Sequence, residues 1–127
     1  MAKLPFSLVS PERELFSGEA DSVLVPGTEG LFEVQAGHSP LMATISPGLL
    51  TIREDGQERR LYVRGGFADV SPTGLTVLAE TAIPEEELRG DVLARQQADV
   101  ERTRETAATP EQELDAQRAT DVLSAYL

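Results

Sequence analysis

At Ile83-Pro84 the chain changes texture, and that one boundary limits the folds open to it. Before it, apolar segments of four to seven residues alternate with Pro, Gly, Ser and Asp clusters, the pattern of short strands joined by tight turns. After it, Gly and Pro almost vanish while Ala, Glu, Gln and Arg dominate, which is helical composition. The expected class is therefore α+β: a β-sandwich or flattened barrel over residues 1–83 and an antiparallel α-helical hairpin over 84–127.

In the first part the candidate strands are Leu4–Val9, Ser22–Val25, Gly30–Val34, Leu41–Ile45, Leu49–Arg53, Arg59–Val63, Phe67–Val70 and Leu75–Leu78. Asp55-Gly56 predicts a type I′ hairpin between Leu49–Arg53 and Arg59–Val63, because such a turn needs positive φ at both central residues. Alternation points Leu61 and Val63 one way and Arg60, Tyr62 and Arg64 the other. Pro47-Gly48 suits a type II turn, and Pro72-Thr73-Gly74 marks another tight connection. Gly65-Gly66 is expected as a bulge or sharp bend between two strands.

In the second part, Pro84 and Glu85-Glu86-Glu87 suit a helix start, with Pro at the first position and carboxylates near the positive end of the dipole. That helix is expected to reach about Thr106, with Leu88, Val92 and a turn-spaced set of Ala and Val on its inner side and Gly90 as an internal weak point. Thr109-Pro110-Glu111-Gln112 predicts a capping box for a second helix from Pro110 to about Ala125. Ala116, Ala119, Leu123 and Tyr126 fall on one stripe. The hairpin is polar with a thin apolar seam, so it needs the β part or a partner to hold it and is the movable element.

Composition removes several function classes. The formal net charge is −11, shared between residues 1–84 (11 acidic, 6 basic) and 85–127 (11 acidic, 5 basic). Both parts repel phosphate backbones and anionic lipid surfaces, so neither nucleic-acid binding nor direct lipid insertion is expected. No apolar run approaches the roughly 20 residues of a membrane span, and Met1–Phe6 lacks the features of a secretory leader. The chain has no Cys and one His, which leaves no thiol chemistry and little for a metal site. His38-Ser39 lacks the Gly-x-Ser-x-Gly spacing of a nucleophile elbow, since position 41 is Leu. Glu85, Glu86 and Glu87 point to different sides of a helix and converge poorly on a cation. No phosphate-binding glycine pattern occurs. Neither a catalytic site nor a cofactor site is expected.

A more specific signal is a series of short motifs in order: Leu15-Phe16-Ser17-Gly18, Pro26-Gly27-Thr28-Glu29-Gly30, Gly37-His38-Ser39-Pro40-Leu41, Pro47-Gly48, Gly65-Gly66-Phe67 and Val77-Leu78-Ala79-Glu80-Thr81-Ala82. The set resembles the epsilon subunit of bacterial F-type ATP synthases, the counterpart of mitochondrial delta. It does so from about Phe6 through Ile83, and more loosely to the C-terminus. The resemblance implies a flattened sandwich of about ten strands and a helical hairpin. It also implies a non-catalytic rotor subunit on the cytoplasmic face of the bacterial inner membrane, held there by other proteins. In that family the sandwich clamps the foot of the gamma subunit and rests on the polar loops of the c-ring, and the hairpin can reach the α and β subunits. The c-ring contact carries over to Glu29, Gly30, Leu31 and His38. The position after Gly30 is often acidic in relatives. Here it is Leu31, with Glu33 two residues on.

Two departures bear on regulation. Many relatives open the first helix with Ile/Leu-Asp-x-x-Arg-Ala, which helps hold a regulatory ATP. The matching stretch here, Leu88-Arg89-Gly90-Asp91-Val92-Leu93, keeps only the Leu. The same spelling recurs in the second helix as Leu114-Asp115-Ala116-Gln117-Arg118-Ala119, which makes Asp115 and Arg118 the residues to test for ATP, with weak or no binding expected. In the family an extended hairpin can also block hydrolysis through basic residues. From Pro110 onward this chain has four acidic residues against Arg118 alone, a net of −3, which opposes such docking. The expectation is a coupling subunit that inhibits weakly. The alternatives are a protein whose main business is inhibition through its hairpin, and an unrelated ligand-binding sandwich module.

Overall fold

The computed structural model describes residues 3–127. Met1 and Ala2, the first residues of the 1–83 segment and of the stretch read as no leader, lie outside it. Eight strands are followed by two helices: β1 (Leu4–Val9), β2 (Glu14–Ala20), β3 (Ser22–Gly27), β4 (Gly30–Val34), β5 (Leu41–Thr44), β6 (Gly48–Glu54), β7 (Gln57–Ser71), β8 (Gly74–Pro84), α1 (Gly90–Thr106) and α2 (Pro110–Ser124). The strands hydrogen-bond in the order β2-β1-β8-β7-β6-β3-β4, with β5 branching onto β7. The α+β architecture is the expected one, but the strand count is eight, not about ten. Arg59–Val63 and Phe67–Val70 are two halves of β7. The strand absent from the sequence reading, β2, is an edge strand that buries only Leu15 and Ala20, so it lacks a clean alternating signature.

The long strands β7 and β8 explain how one hydrogen-bonded path makes two layers. They pair in one register from Leu61↔Pro84 to Ser71↔Gly74, with Gly65 and Glu80 left out. The first half of β7 takes β6 as its other neighbour and the second half takes β5. At the hand-over sit Gly65 and Gly66, with φ of +74° and +96°. They are not a bulge, since the register with β8 is the same on both sides, and the expected bend falls inside one strand rather than between two. They shift the phase of the pleat instead. Leu61 and Val63 face the sandwich core before the kink, and Ala68 and Val70 face it afterwards, so odd positions give way to even ones. β8 changes phase opposite, from Leu75, Val77 and Ala79 to Ala82. Without that shift a period of two would turn one half of each strand inside out.

The predicted turns are largely present. Asp55 (φ +51°) and Gly56 (φ +79°) form the two-residue β6–β7 turn in the I′ conformation, and Ser71↔Gly74 closes the β7–β8 turn over Pro72-Thr73. Pro47-Gly48 is not a type II turn, because Gly48 is not among the positive-φ residues. Gly48 is instead the close approach of β6 to Pro26, whose Cβ would lie 2.8 Å from any Cβ added there.

The hairpin lies on the outer face of the sandwich. Pro84 completes β8 opposite Leu61 rather than opening a helix, and Glu85–Glu87 form a single 3₁₀ turn. Leu88 is buried, and α1 begins only at Gly90, whose φ of +56° lets the chain turn after Leu88. Gly90 is thus a start position and not an interior weakness. The buried residues of α1 are Leu93 and Val100; of the expected set Val100 is inside, Val92 is half-buried, and Ala94 and Ala98 are exposed. On α2 the predicted stripe holds: Ala116, Ala119 and Leu123 are buried and Tyr126 is half-buried. Thr109 Oγ1 accepts from the Gln112 amide at 3.2 Å, while Gln112 Oε1 accepts from the Ala108 amide at 2.7 Å, one residue earlier than in the standard capping box.

Two separate apolar clusters result. The sandwich interior buries nineteen hydrophobic residues, from every strand but β5 and from Ile45 just after it. The hairpin seam joins Tyr62, Leu88, Leu93, Val100, Ala116, Ala119 and Leu123. At about 1.5–3 kcal/mol per buried large aliphatic side chain, the interior dominates stability and the seam is a modest addition.

Candidate functional site

The two outer faces of the sandwich differ. On one, the cross-strand row Leu49, Tyr62 and Ile83 lies under the hairpin. On the other, the pleat turns Met42, Thr44, Phe67, Leu78 and Val9 outward. Thr44 pairs with Phe67, Phe67 with Leu78 and Leu78 with Val9, and Met42 stands two residues along from Thr44. Met42 is 67% exposed, Leu78 41% and Phe67 38%, so an apolar stripe crosses four strands without a cover. Beside it Val9, Pro11, Phe67 and Leu78 line a depression of about 430 Å³. Contiguous apolar surface of this kind marks contact with another molecule more often than accident.

The β3–β4 turn adds a second feature at the end of the sandwich. Gly27 pairs with Gly30, leaving Thr28-Glu29 at the tip, and Gly30 takes φ +128°. The Thr28 amide donates to the Thr44 carbonyl at 3.0 Å and ties the tip to β5. Glu29, Gly30 and Leu31 therefore line one groove of about 420 Å³ together with Phe32, Leu41 and Met42. Leu31 is 66% exposed. Glu33 is turned to its own sheet, where Arg53 Nη1 donates to it at 3.4 Å.

His38 stands apart from this groove. It occupies the loop leading into β5, where its amide donates to the Gln35 carbonyl, and Gly37 is tied to the β7–β8 turn through the Pro72 carbonyl. Its Nδ1 donates to the Ser39 carbonyl at 2.7 Å, so the ring engages backbone and not the Ser39 hydroxyl. The structure thus brings three of the four expected contact residues together. It joins to them Leu41, the last residue of the Gly37–Leu41 motif, and adds Met42, Phe67 and Leu78, which the sequence does not single out as contacts. Their signal was a broken alternation: in Val77-Leu78-Ala79 apolar residues occupy both faces of the strand, and one face must be outside.

The hairpin positions behave differently. Asp115 is exposed on α2. Arg118 Nη1 donates to the buried Ser46 hydroxyl at 3.0 Å, which fixes α2 to the sandwich. Arg64 Nη2 donates to Thr103 Oγ1 at 2.6 Å and fastens α1. At the end of the chain the Tyr126 hydroxyl donates to Glu85 Oε2 at 2.6 Å, and Arg60 Nε donates to both Glu85 oxygens. Tyr126 and Arg60 together hold the Glu85 carboxyl below the usual carboxylate range. Burial, reinforced by the Glu85 carboxylate, pushes the Tyr126 phenol up to about 12. Glu87 accepts from Arg13, so the acidic run is divided among separate partners. No cluster of potential metal ligands occurs among the described residues, and no helix is long and apolar enough to cross a membrane.

The family described as ATP synthase, Delta/Epsilon chain, beta-sandwich domain matches residues 3–85. The chain belongs to the ATP synthase delta/epsilon chain family. A family member from Maricaulis maris, named ATP synthase epsilon chain, is 50% identical over 113 residues, 89% of this chain and 84% of the relative. A family member of the same name from Caulobacter vibrioides is 55% identical over 83 residues, 65% of this chain and 96% of the relative. Among solved structures, a chain of the Euglena gracilis mitochondrial ATP synthase, described as OSCP/F1/c-ring in rotational state 1, superposes with a TM-score of 0.71. It covers 98% of this chain and 79% of that one at 19% identity, a likeness of fold. The portion matched by the family is the sandwich, β1 to β8.

Proposed function

We propose that this chain is a non-catalytic rotor subunit, which joins the gamma subunit to the c-ring so that proton-driven rotation reaches the catalytic α and β subunits. The uncovered apolar stripe of Met42, Phe67 and Leu78 carries this reading, because a rigid sandwich with one outer face occupied by its own hairpin leaves that stripe for a partner. In this proposal the stripe receives gamma. The groove at Glu29, Gly30 and Leu31, with His38 on the neighbouring loop, meets the polar loops of the c-ring. The 1–83 unit binds, the 84–127 hairpin regulates little, and the protein sits peripherally on the cytoplasmic face of the bacterial inner membrane.

The physics of coupling favours such a body. A proton crossing supplies about 2.3 kcal/mol per 100 mV. That energy arrives as torque only if the joint between ring and shaft does not slip. Interiors packed like organic crystals resist deformation, and an interface above roughly 1,000 Å² would distribute the load. The Caulobacter relative supports a minor role for the hairpin. Its 83 matched residues are 96% of its length, which equals the span of the sandwich match at residues 3–85.

Co-expression with gamma tests the reading directly: the chain should co-purify with it, and failure to do so would overturn the assignment. Removing residues after Ala108 from the assembled complex should leave ATP hydrolysis within about twofold. A several-fold rise would transfer the main role to inhibition by the hairpin. Titration calorimetry should detect no ATP binding at millimolar or tighter affinity, because Arg118 is committed to Ser46. Measurable binding, lost in Asp115→Ala or Arg118→Ala, would contradict this.

A further inference from the structure

The chain has two tyrosines, and both meet the hairpin seam. They differ in how their hydroxyls are treated. Tyr126 donates to Glu85 at 2.6 Å, and Glu85 is itself gripped by Arg60 of β7, so the last turn of the hairpin is tied to the sandwich through a charge-assisted bond. Tyr62 is fully buried under the helices, and its hydroxyl has no hydrogen-bond partner among the described residues. On α1 the side-chain amide oxygen of Gln96, between the inward residues Leu93 and Val100, is likewise buried and without a partner among them. Docking the hairpin thus covers the Tyr62 hydroxyl, which water would satisfy if the helices lifted away. A buried polar group left without a partner opposes the state that buries it.

We propose that the two tyrosines act in opposition at this seam: the Tyr126 phenol, through Glu85 and Arg60, latches the hairpin to the sandwich, and the Tyr62 hydroxyl keeps that docking weak enough to reverse. The rest of the seam leaves room for such tuning. The residues that α2 buries fully there are two alanines and Leu123, with Val122 and Tyr126 half-buried beside them, while Leu114 and Leu127 remain exposed. The remaining fastenings, Arg118 to Ser46 and Arg64 to Thr103, are single hydrogen bonds. Removing the Tyr62 hydroxyl keeps the ring and its packing but deletes the unpaired group. Removing the Tyr126 hydroxyl keeps the packing but deletes the latch. This inference concerns the intact chain alone and does not depend on which partner the open face receives.

Amide hydrogen exchange of the full chain, read separately on α1–α2 and on β3, tests it. Tyr62→Phe should slow exchange in the hairpin about tenfold, equivalent to about 1.4 kcal/mol. Tyr126→Phe should speed it by a similar factor, and Glu85→Gln should follow Tyr126→Phe. Protection of the Val23 and Val25 amides should stay within about twofold in all three, which separates hairpin opening from global unfolding. Faster hairpin exchange in Tyr62→Phe would mean the hydroxyl stabilises docking and would overturn the opposition. Unchanged exchange in both Tyr126→Phe and Glu85→Gln would remove the latch.

Discussion

Gly66→Ala is expected to abolish cooperative folding at room temperature or to lower the urea midpoint by about 2 M or more. A Cβ at this position would overlap the Leu78 carbonyl oxygen and lie 2.9 Å from the Ala79 Cα, both of them backbone. Backbone of a central strand pair has little room to move, since β7 and β8 are paired in one register on both sides of Gly65. The φ of +96° adds conformational strain to the overlap. Together these exceed about 4 kcal/mol, the range reserved for the most damaging substitutions, against a total stability of about 5–15 kcal/mol. Gly30→Ala is the control. Its φ of +128° is also unfavourable, but nothing lies within 4 Å of the added atom. A change of about 1–2 kcal/mol is expected there. Similar midpoints for the two variants would show that the kink is not the steric keystone described here.

The double substitution Met42→Glu with Phe67→Glu should weaken binding to gamma by 100-fold or more while leaving the fold intact. Two charges placed in the middle of an apolar contact would each have to be desolvated without a counter-ion. Central interface residues commonly carry about 2–4 kcal/mol apiece. The substituted side chains already point outward, so the interior is not disturbed. Circular dichroism and the urea midpoint should stay close to those of the parent chain, and the loss should appear in co-purification and in surface plasmon resonance. Undiminished binding would place gamma on another face. A corresponding Leu31→Glu change, at the groove end, should affect gamma far less.

Much of this architecture could be read from the sequence because it rests on local chemistry. Asp55-Gly56 fixes a hairpin through its own backbone preferences, and Thr109-Pro110 opens α2 for the same reason. The stripe of Ala116, Ala119 and Leu123 needs only helical periodicity. What escaped were features set by tertiary placement. Pro84-Glu85-Glu86-Glu87 has the composition of a helix start, yet β7 claims Pro84 as a strand partner and Arg60 draws Glu85 away. Gly65-Gly66 has the spelling of a break, and only the continuous partner strand makes it a change of phase. Of the candidate site, Glu29, Gly30 and Leu31 were accessible through their motif. Met42, Phe67 and Leu78 were not, because an outward apolar residue and an inward one look alike until the neighbouring strands are known.

The handing over of β7 from β6 to β5 has a mechanical side. In most sandwiches the two layers are joined by side-chain packing and by loops, so a sideways force can make one slide on the other. Here covalent backbone passes from one layer into the other twice, side by side, in β7 and β8. A twisting load applied at the Phe67 end would travel to the Tyr62 end along two stretched peptide chains in parallel. Sliding of the layers would require breaking that ladder, and elastic give is left chiefly to the turns and the hairpin.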